Sequence, residues 1–372
     1  MSKTLKLMVP GPTPLPPEVR EALSGEMIYH RDTQFCNAVL DVIEKLKYLL
    51  YLESDTDHEV LLIPGTGRAA MEASLVNCFS RGDKVLGVSN GHFGELFVKM
   101  AEALGLSSVP MSFRWDGEID LVAVEEQLKA DSSIKGILLT CIETSNAVQN
   151  DVAAIGALAK KYNKLLLVDA VSALGCTPIR MKEDGIDVLI SASQKGLMCP
   201  AGMSVVVLSP GALAAVAKSD IPKYYFAFEK MLSFIGKGQT HVSTPVPIVL
   251  GLQASLRLIA KEGREQTFAR HEKLSNYIRS EAEQLGYSLY PHAFPGKRAS
   301  SLSAFDVPAG LTSGTLIEFI KENYDTIFSR GLGANKDSIF RIGHMGYCSE
   351  KDAEFAVAVL RSAKEQLFQA NR

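Results

Sequence analysis

A chain of 372 residues and 40.4 kDa should hold two domains at roughly 150 residues each, enough to bury a core without disulfide or metal staples. Hydrophobic residues make up 47% and charged residues 22%, which excludes a disordered or fibrous chain. Lys and Arg number 39 against 42 Asp and Glu, a formal charge of -3, and no basic run stands out, so nothing supports a nucleic-acid partner.

Residues 1–16 are rich in proline, which fixes φ and removes a donor, so they read as an extended arm that must lean on other parts of the chain. Before those prolines no stretch of about 7 to 15 apolar residues forms, and no run approaches the ~20 needed to cross a bilayer. Across 33–52, Phe35, Val39, Val42, Ile43, Leu46, Leu49 and Leu50 recur at helical spacing and predict an amphipathic helix. Between 59 and 208, short apolar runs at 60–63, 85–88, 137–140, 165–168, 188–190 and 205–208 alternate with helical patterns such as 69–79, 93–104 and 152–162. That alternation predicts an α/β fold, a mostly parallel sheet with helices on both faces, whose ligands lie beyond the carboxyl ends of the strands.

From 245 to about 260 a long apolar helix carrying Ile248, Leu252, Leu256 and Ile259 reads as a bridge out of the sheet, ending near Gly263. A helix at 265–285, strands at 288–290 and 301–306, a helix at 315–323, a strand at 338–342 and a final helix at 351–368 predict a second, α+β domain. The expected division is an arm at 1–16, a large domain at 17–262 and a small C-terminal domain at 263–372. Six cysteines, Cys36, Cys78, Cys141, Cys176, Cys199 and Cys348, occur without a CxxC pair. They read as free thiols in a reducing compartment, which suggests the cytoplasm and gives no support to a metal cluster.

Chemistry is therefore sought just after each strand. Pro64-Gly65-Thr66-Gly67-Arg68 follows a buried strand and opens a helix. Free N–H groups at a helix start, with a hydroxyl beside them, suit a phosphate, while the same glycines also serve a plain strand-to-helix turn. The spacing matches neither GxGxxG nor a P-loop. Asp169 ends the run Leu165-Leu166-Leu167-Val168, and Lys195 stands in Ser191-Ala192-Ser193-Gln194-Lys195-Gly196 as the only long cation of its segment. A desolvated lysine loses its proton more readily and attacks a carbonyl. An amine, an acid on a neighbouring strand end and a phosphate cradle are together what pyridoxal phosphate requires.

With these residues in view, the chain resembles the class V aminotransferases of pyridoxal-phosphate fold type I, and among them the alanine/serine-glyoxylate (serine-pyruvate) aminotransferases. The likeness runs from the PGPTPLPP arm through GTG, SNGHFG, ETS, VDAVSALG, SASQKG and the STP segment to RIGHMG; VDAVSALG followed by SQK is its most specific part. The resemblance implies a large domain with a mostly parallel seven-stranded sheet and a smaller α+β domain. It also implies pyridoxal 5'-phosphate as cofactor and a homodimer with shared active sites.

Residue by residue, the resemblance makes Lys195 the lysine that forms the Schiff base and Asp169 the partner of the pyridine nitrogen, with Val171 under the ring. Gly65, Thr66, Gly67 and Gln194 would hold the phosphate, Phe93 would stack on the ring and Thr144 would lie near its hydroxyl and the substrate. Thr244, in Thr240-His241-Val242-Ser243-Thr244-Pro245, would reach the neighbour's phosphate pocket. His241 is either part of that contact or a surface histidine. Arg341 would clamp the substrate carboxylate by paired hydrogen bonds, and Arg31 is either a second cation at the substrate mouth or a surface cap. Arg68 replaces a frequent histidine and would serve the cofactor or an acidic substrate tail. Asn146-Ala147 stands where relatives commonly read Thr-Gly. Cys348 reads as an inert buried thiol, and Met198, Met203 and Met231 as core.

The implied reaction is ping-pong transfer of an amino group from alanine or serine to glyoxylate or pyruvate. The rivals are a 2-aminoethylphosphonate-pyruvate transaminase, in which Arg68 or Arg31 binds the phosphonate, and a pyridoxal-phosphate lyase or cysteine desulfurase, which needs a reactive cysteine.

Overall fold

The computed structural model describes residues 5–369 apart from 293 and 295, so the first four residues of the predicted arm and the last three of the chain lie outside it. A two-residue strand, β1 (Lys6–Leu7), precedes helices α1 (Pro17–Ser24) and α2 (Thr33–Leu49). Strands and helices then alternate through β2 (Glu59–Gly65), α3 (Gly67–Cys78), β3 (Lys84–Ser89), α4 (His92–Ala103), β4 (Ser107–Ser112), α5 (Leu121–Ala130) and β5 (Ile134–Thr140). Two short strands, β6 (Ile142–Glu143) and β7 (Val148–Gln149), lead to α6 (Val152–Lys161), β8 (Leu165–Asp169), β9 (Val188–Ala192) and β10 (Gly202–Leu208).

Seven of these strands form one sheet in the order β2-β10-β9-β8-β5-β3-β4. Neighbours are parallel except around β10, which runs against both β2 and β9. Strand β8 reads Leu-Leu-Leu-Val-Asp with no polar alternation, as expected where helices cover both faces. All six apolar runs fall on strands of this sheet. The seventh strand, β4, lies at its edge, pairs only with β3 and carries Pro110, a residue that only an edge strand accommodates easily.

Beyond the sheet come α7 (Pro210–Val216), α8 (Phe228–Ile235), α9 (Val246–Glu262) and α10 (Arg264–Gln284). They are followed by β11 (Leu289–Tyr290), β12 (Lys297–Arg298), β13 (Leu302–Asp306), α11 (Ser313–Tyr324), β14 (Thr326–Ile327), β15 (Ser329–Arg330), β16 (Ile339–Gly343) and α12 (Glu350–Gln369). Strands β11, β13, β16 and β15 make an antiparallel sheet in that order. Leu274, Ile278, Phe305, Phe340 and Leu360 pack into an apolar cluster of their own, separate from the one around the large sheet. The proline-rich arm leans on this C-terminal part, since β1 runs parallel to β14 with Lys6 opposite Thr326. Among the described residues no helix is long and apolar enough to cross a membrane. Met198, Met203 and Met231 are buried as core residues.

Candidate active site

Parallel pairing of β8 with β9 brings the carboxyl ends of both strands to one edge. Asp169 is the last residue of β8, and Lys195 stands three residues beyond Ala192, the last residue of β9. Asp169 is buried and accepts a hydrogen bond at Oδ1 from Val171 N at 2.9 Å, which leaves Oδ2 for another donor. Burial pushes its carboxyl up to about 7, with Glu143 adding to the rise and the Val171 N–H and Lys195 opposing it.

The Lys195 amine moves the other way, from 10.5 down to about 8. Burial is the main cause, Arg341 adds to it, and Asp169 and Cys176 oppose it. At pH 7 about a tenth of such an amine is neutral, against roughly one part in 3,000 for a free lysine. The neutral form attacks aldehydes, so the rate at which cofactor-stripped protein captures pyridoxal phosphate should rise about tenfold per pH unit and level off above about 8. Stopped-flow absorbance checks this; a rise continuing to the value of a free lysine would contradict the buried-amine geometry. The sign for stability follows too: between about 8 and 10.5 the unfolded chain binds the extra proton, so stability rises with pH across that window.

The start of α3 lacks the side-chain cap that five other helices carry. Asp32, Asp120, Asp151, Ser209 and Thr312 each cap their helices with a side-chain oxygen, the usual way to satisfy free N–H groups. Thr66 opens α3 without spending its hydroxyl on the helix, and Thr66 is exposed. Gly67 is required by contact, because a Cβ there would stand 2.7 Å from Val171 Cγ2. Beside Lys195, Gln194 holds a buried side-chain oxygen with no hydrogen-bond partner among the described residues. Uncapped helix N–H groups and a free hydroxyl suit a phosphate, a buried acid and an amine lowered to about 8 suit an aromatic aldehyde, and the orphaned Gln194 oxygen, an acceptor, is left for a donor on such a group.

A second layer ties this edge to the small sheet. Arg341, in β16, is 6% exposed; its Nη1 donates to Thr144 O at 2.7 Å and its Nε to Arg330 O at 2.8 Å. Thr144 Oγ1 lies 2.6 Å from Ser172 Oγ. Glu143, fully buried, accepts from Phe93 N and Gly94 N at 3.0 Å each. It thereby closes the start of α4, whose N-cap is Gly91 and has no side chain to do so. Sequence reasoning gave Glu143 no such role, because its partners lie about fifty residues away and only the fold brings them together. Phe93 is half-buried in the first turn of this helix, edge-on to His92 with ring centroids 5.2 Å apart.

The Asn146-Ala147 departure has a local explanation. Asn146 Nδ2 donates to Asn90 O and to Trp115 O, both at 2.7 Å. Ala147 takes a φ of 61°, the left-handed region that costs an alanine about 1 kcal/mol more than a glycine. Three side-chain bonds of Asn146 fix the loop, the third accepted at Oδ1 from Val148 N.

The structure thus gathers Asp169, Val171, Gly67, Gln194, Lys195, Thr144 and Arg341 through mutual contacts and charges. Gly65 and Arg68 flank the cradle, and Arg68 is exposed, near enough to His92 to help depress its ring along with Arg341, after burial. Arg31 and His241 make their contacts elsewhere, and Thr244 is not joined to the group. Arg31 Nη1 donates to Gln239 Oε1 at 3.4 Å and its guanidinium lies 5.9 Å from the Phe234 ring. His241 Nε2 pairs with Tyr225 O at 2.9 Å. Thr244 is buried, and its Oγ1 has no partner among the described residues.

The sequence profile described as Aminotransferase class-V matches residues 7–332. The L-aspartate--glyoxylate aminotransferase of Paracoccus denitrificans is 33% identical over 362 residues, covering 96% of this chain and 90% of that protein. A soluble hydrogenase 42 kDa subunit of Anabaena cylindrica is 34% identical over 363 residues, 97% and 93% of the two chains. The solved alanine--glyoxylate aminotransferase of Nostoc sp. superposes with a TM-score of 0.91 at 27% identity, covering 98% of this chain and 96% of that one. With its profile, its relatives and its fold in agreement, the chain belongs to the class-V aminotransferase family.

Proposed function

We propose that this enzyme uses pyridoxal 5'-phosphate to move the amino group of a small amino acid, alanine or serine, to glyoxylate or pyruvate by ping-pong half-reactions. The observation that supports it most is the pairing of buried Asp169 with half-buried Lys195 on adjacent strand ends, with the buried cation Arg341 close enough to act on the amine. When bound, the cofactor supplies an aldehyde for the lysine and a ring that draws electrons from a breaking Cα–H bond.

The protein's own residues do the rest. Thr66, the N–H groups opening α3 and Gln194 would anchor the phosphate, and Val171 and Phe93 would pack on the ring. Asp169 Oδ2 would keep a proton on the ring nitrogen, and Thr144 would serve the ring hydroxyl. Arg341 turns its guanidinium to the substrate carboxylate, which fixes the side from which Lys195 Nζ takes the Cα proton and returns it.

Glyoxylate stands in the printed names of two relatives whose donors differ, aspartate in one and alanine in the other. The small donor is favoured by the likeness to alanine/serine-glyoxylate aminotransferases, with Arg341 as the one clamp read for a substrate carboxylate. Arg68 remains a cation for the cofactor phosphate. Desulfuration is disfavoured at five of the six thiols: burial pushes Cys78, Cys141, Cys176, Cys199 and Cys348 up to about 12, far from a reactive thiolate.

A homodimer would complete the cradle, with Thr244 and His241 reaching the phosphate of a second copy. In support, the Thr244 hydroxyl has no partner among the described residues. Tyr29 and Tyr224, near Arg31 and next to Tyr225, are 63% and 81% exposed. Free thiols fit a cytoplasmic enzyme. A panel of alanine, serine, aspartate and 2-aminoethylphosphonate against glyoxylate and pyruvate tests the reading. Alanine or serine with glyoxylate should give kcat/KM at least about tenfold above the acidic donors; turnover confined to aspartate or the phosphonate would overturn it.

A further inference from the structure

We propose that residues 10–13 of the N-terminal arm are a positioning strap for the Lys195 amine, tying the direction of that amine to the strand that carries Arg341. The inference rests on the reading of Lys195 as the cofactor-bearing lysine and adds to it a part of the chain far away in sequence.

Lys195 Nζ donates a hydrogen bond to the Pro10 carbonyl oxygen, its one hydrogen-bond partner among the described residues. Gly11 lies flat against the same side chain. A Cβ there would stand 2.6 Å from Lys195 Cδ, 2.8 Å from Cε and 2.9 Å from Nζ, and its φ of +101° also disfavours any side chain. Two residues on, Thr13 Oγ1 donates to Lys195 O at 3.1 Å and Thr13 N to Gln194 O at 3.3 Å. One short turn therefore grips both the main chain and the amine of the same lysine.

The other end of the strap is fixed to the small sheet. Met8 N donates to Ile327 O at 3.1 Å, and Gly343 N donates to Met8 O at 2.8 Å. Lys6 pairs with Asp352 at 2.6 Å. Gly343 stands two residues after Arg341 on β16, so the path from the carboxylate clamp to the amine is two hydrogen bonds, Gly343 N to Met8 O and Lys195 Nζ to Pro10 O, joined by the backbone from Met8 to Pro10. The loop after β16 is held in turn by α10: Gly346 N donates to His271 Nε2 at 2.9 Å, and Arg270 Nη1 donates to Gly346 O at 3.0 Å. Movement of the small sheet against the large one is thereby passed to the lysine, while the other groups facing it, Arg341, Asp169 and Cys176, act on it through charge. Proton transfer is steeply sensitive to such placement, because about 1 Å of misalignment can cost a hundredfold in rate.

The test uses Gly11→Ala and Thr13→Val in the full-length enzyme. Gly11→Ala should lower kcat about 10- to 100-fold with KM changed less than about threefold. Thr13→Val, which keeps the volume and loosens only the grip on the Lys195 loop, should lower kcat about 3- to 10-fold in the same way. Both should also move the pH midpoint for capture of pyridoxal phosphate by the stripped protein upward, as water reaches an amine whose depression comes mainly from burial. That second readout would not move if the arm only packed. If Gly11→Ala does not fold, Thr13→Val decides. Unchanged kcat and midpoint, with at most a lower melting temperature, would overturn the strap. Borohydride reduction of the parent enzyme separates the two levels: no label on Lys195 would mean that the functional reading fails and the strap falls with it.

Discussion

Lys195→Ala is expected to leave a folded protein whose transaminase turnover is at least about 10,000-fold below the parent, the upper range for removing one proton-transfer group. The loss is expected to be larger than for any neighbouring residue because the side chain acts twice, as covalent anchor and as the base that shuttles the Cα proton. Its own stabilising contacts are few: the amine bonds to Pro10 O, while the loop is held by main-chain bonds such as Met198 N to Lys195 O, which alanine keeps. Circular dichroism and melting should therefore stay near the parent, and the visible absorbance of covalently held cofactor should vanish. Retained turnover at more than about one-hundredth of the parent would remove Lys195 from the chemistry.

Asp169→Asn is expected to cost about 100- to 1,000-fold in kcat, the range seen when one preorganised electrostatic partner is lost from a buried site. The amide is isosteric and its oxygen can still accept from Val171 N, so the local turn survives and only the charge disappears. Burial already pushes this carboxyl up to about 7, a strain that a cationic ring nitrogen against Oδ2 would relieve. The variant should accordingly bind cofactor about tenfold or more weakly as well as turn over slowly. Equilibrium titration of the cofactor and steady-state rates together check this, and parent-like values for both would show that the acid serves only the fold.

Much of this arrangement was legible because parallel α/β sheets announce themselves. The six apolar runs marked six strands, and the rule that ligands gather at strand ends led directly to Asp169 at the end of β8 and Lys195 after β9. Edge strand β4 was not legible, since Ser107–Ser112 has one face in solvent and a proline in the middle, with no apolar run to notice. Short strand β12 pairs with β7 across about 150 residues, Lys297 opposite Gln149, a match that no local pattern encodes. Glu143 closing the start of α4 and the arm gripping Lys195 have the same origin. A sequence shows which residues can accept or donate, but their partners are chosen by tertiary packing. The PGPTP segment was visible as a rigid, extended stretch; what it rests on was not.

Sodium borohydride reduction of the purified enzyme, followed by proteolysis and peptide mass analysis, tests the central claim most directly. The account predicts the reduced cofactor on one peptide, attached at Lys195. Attachment to a different lysine, or no covalent addition in protein that contains the cofactor, would contradict it.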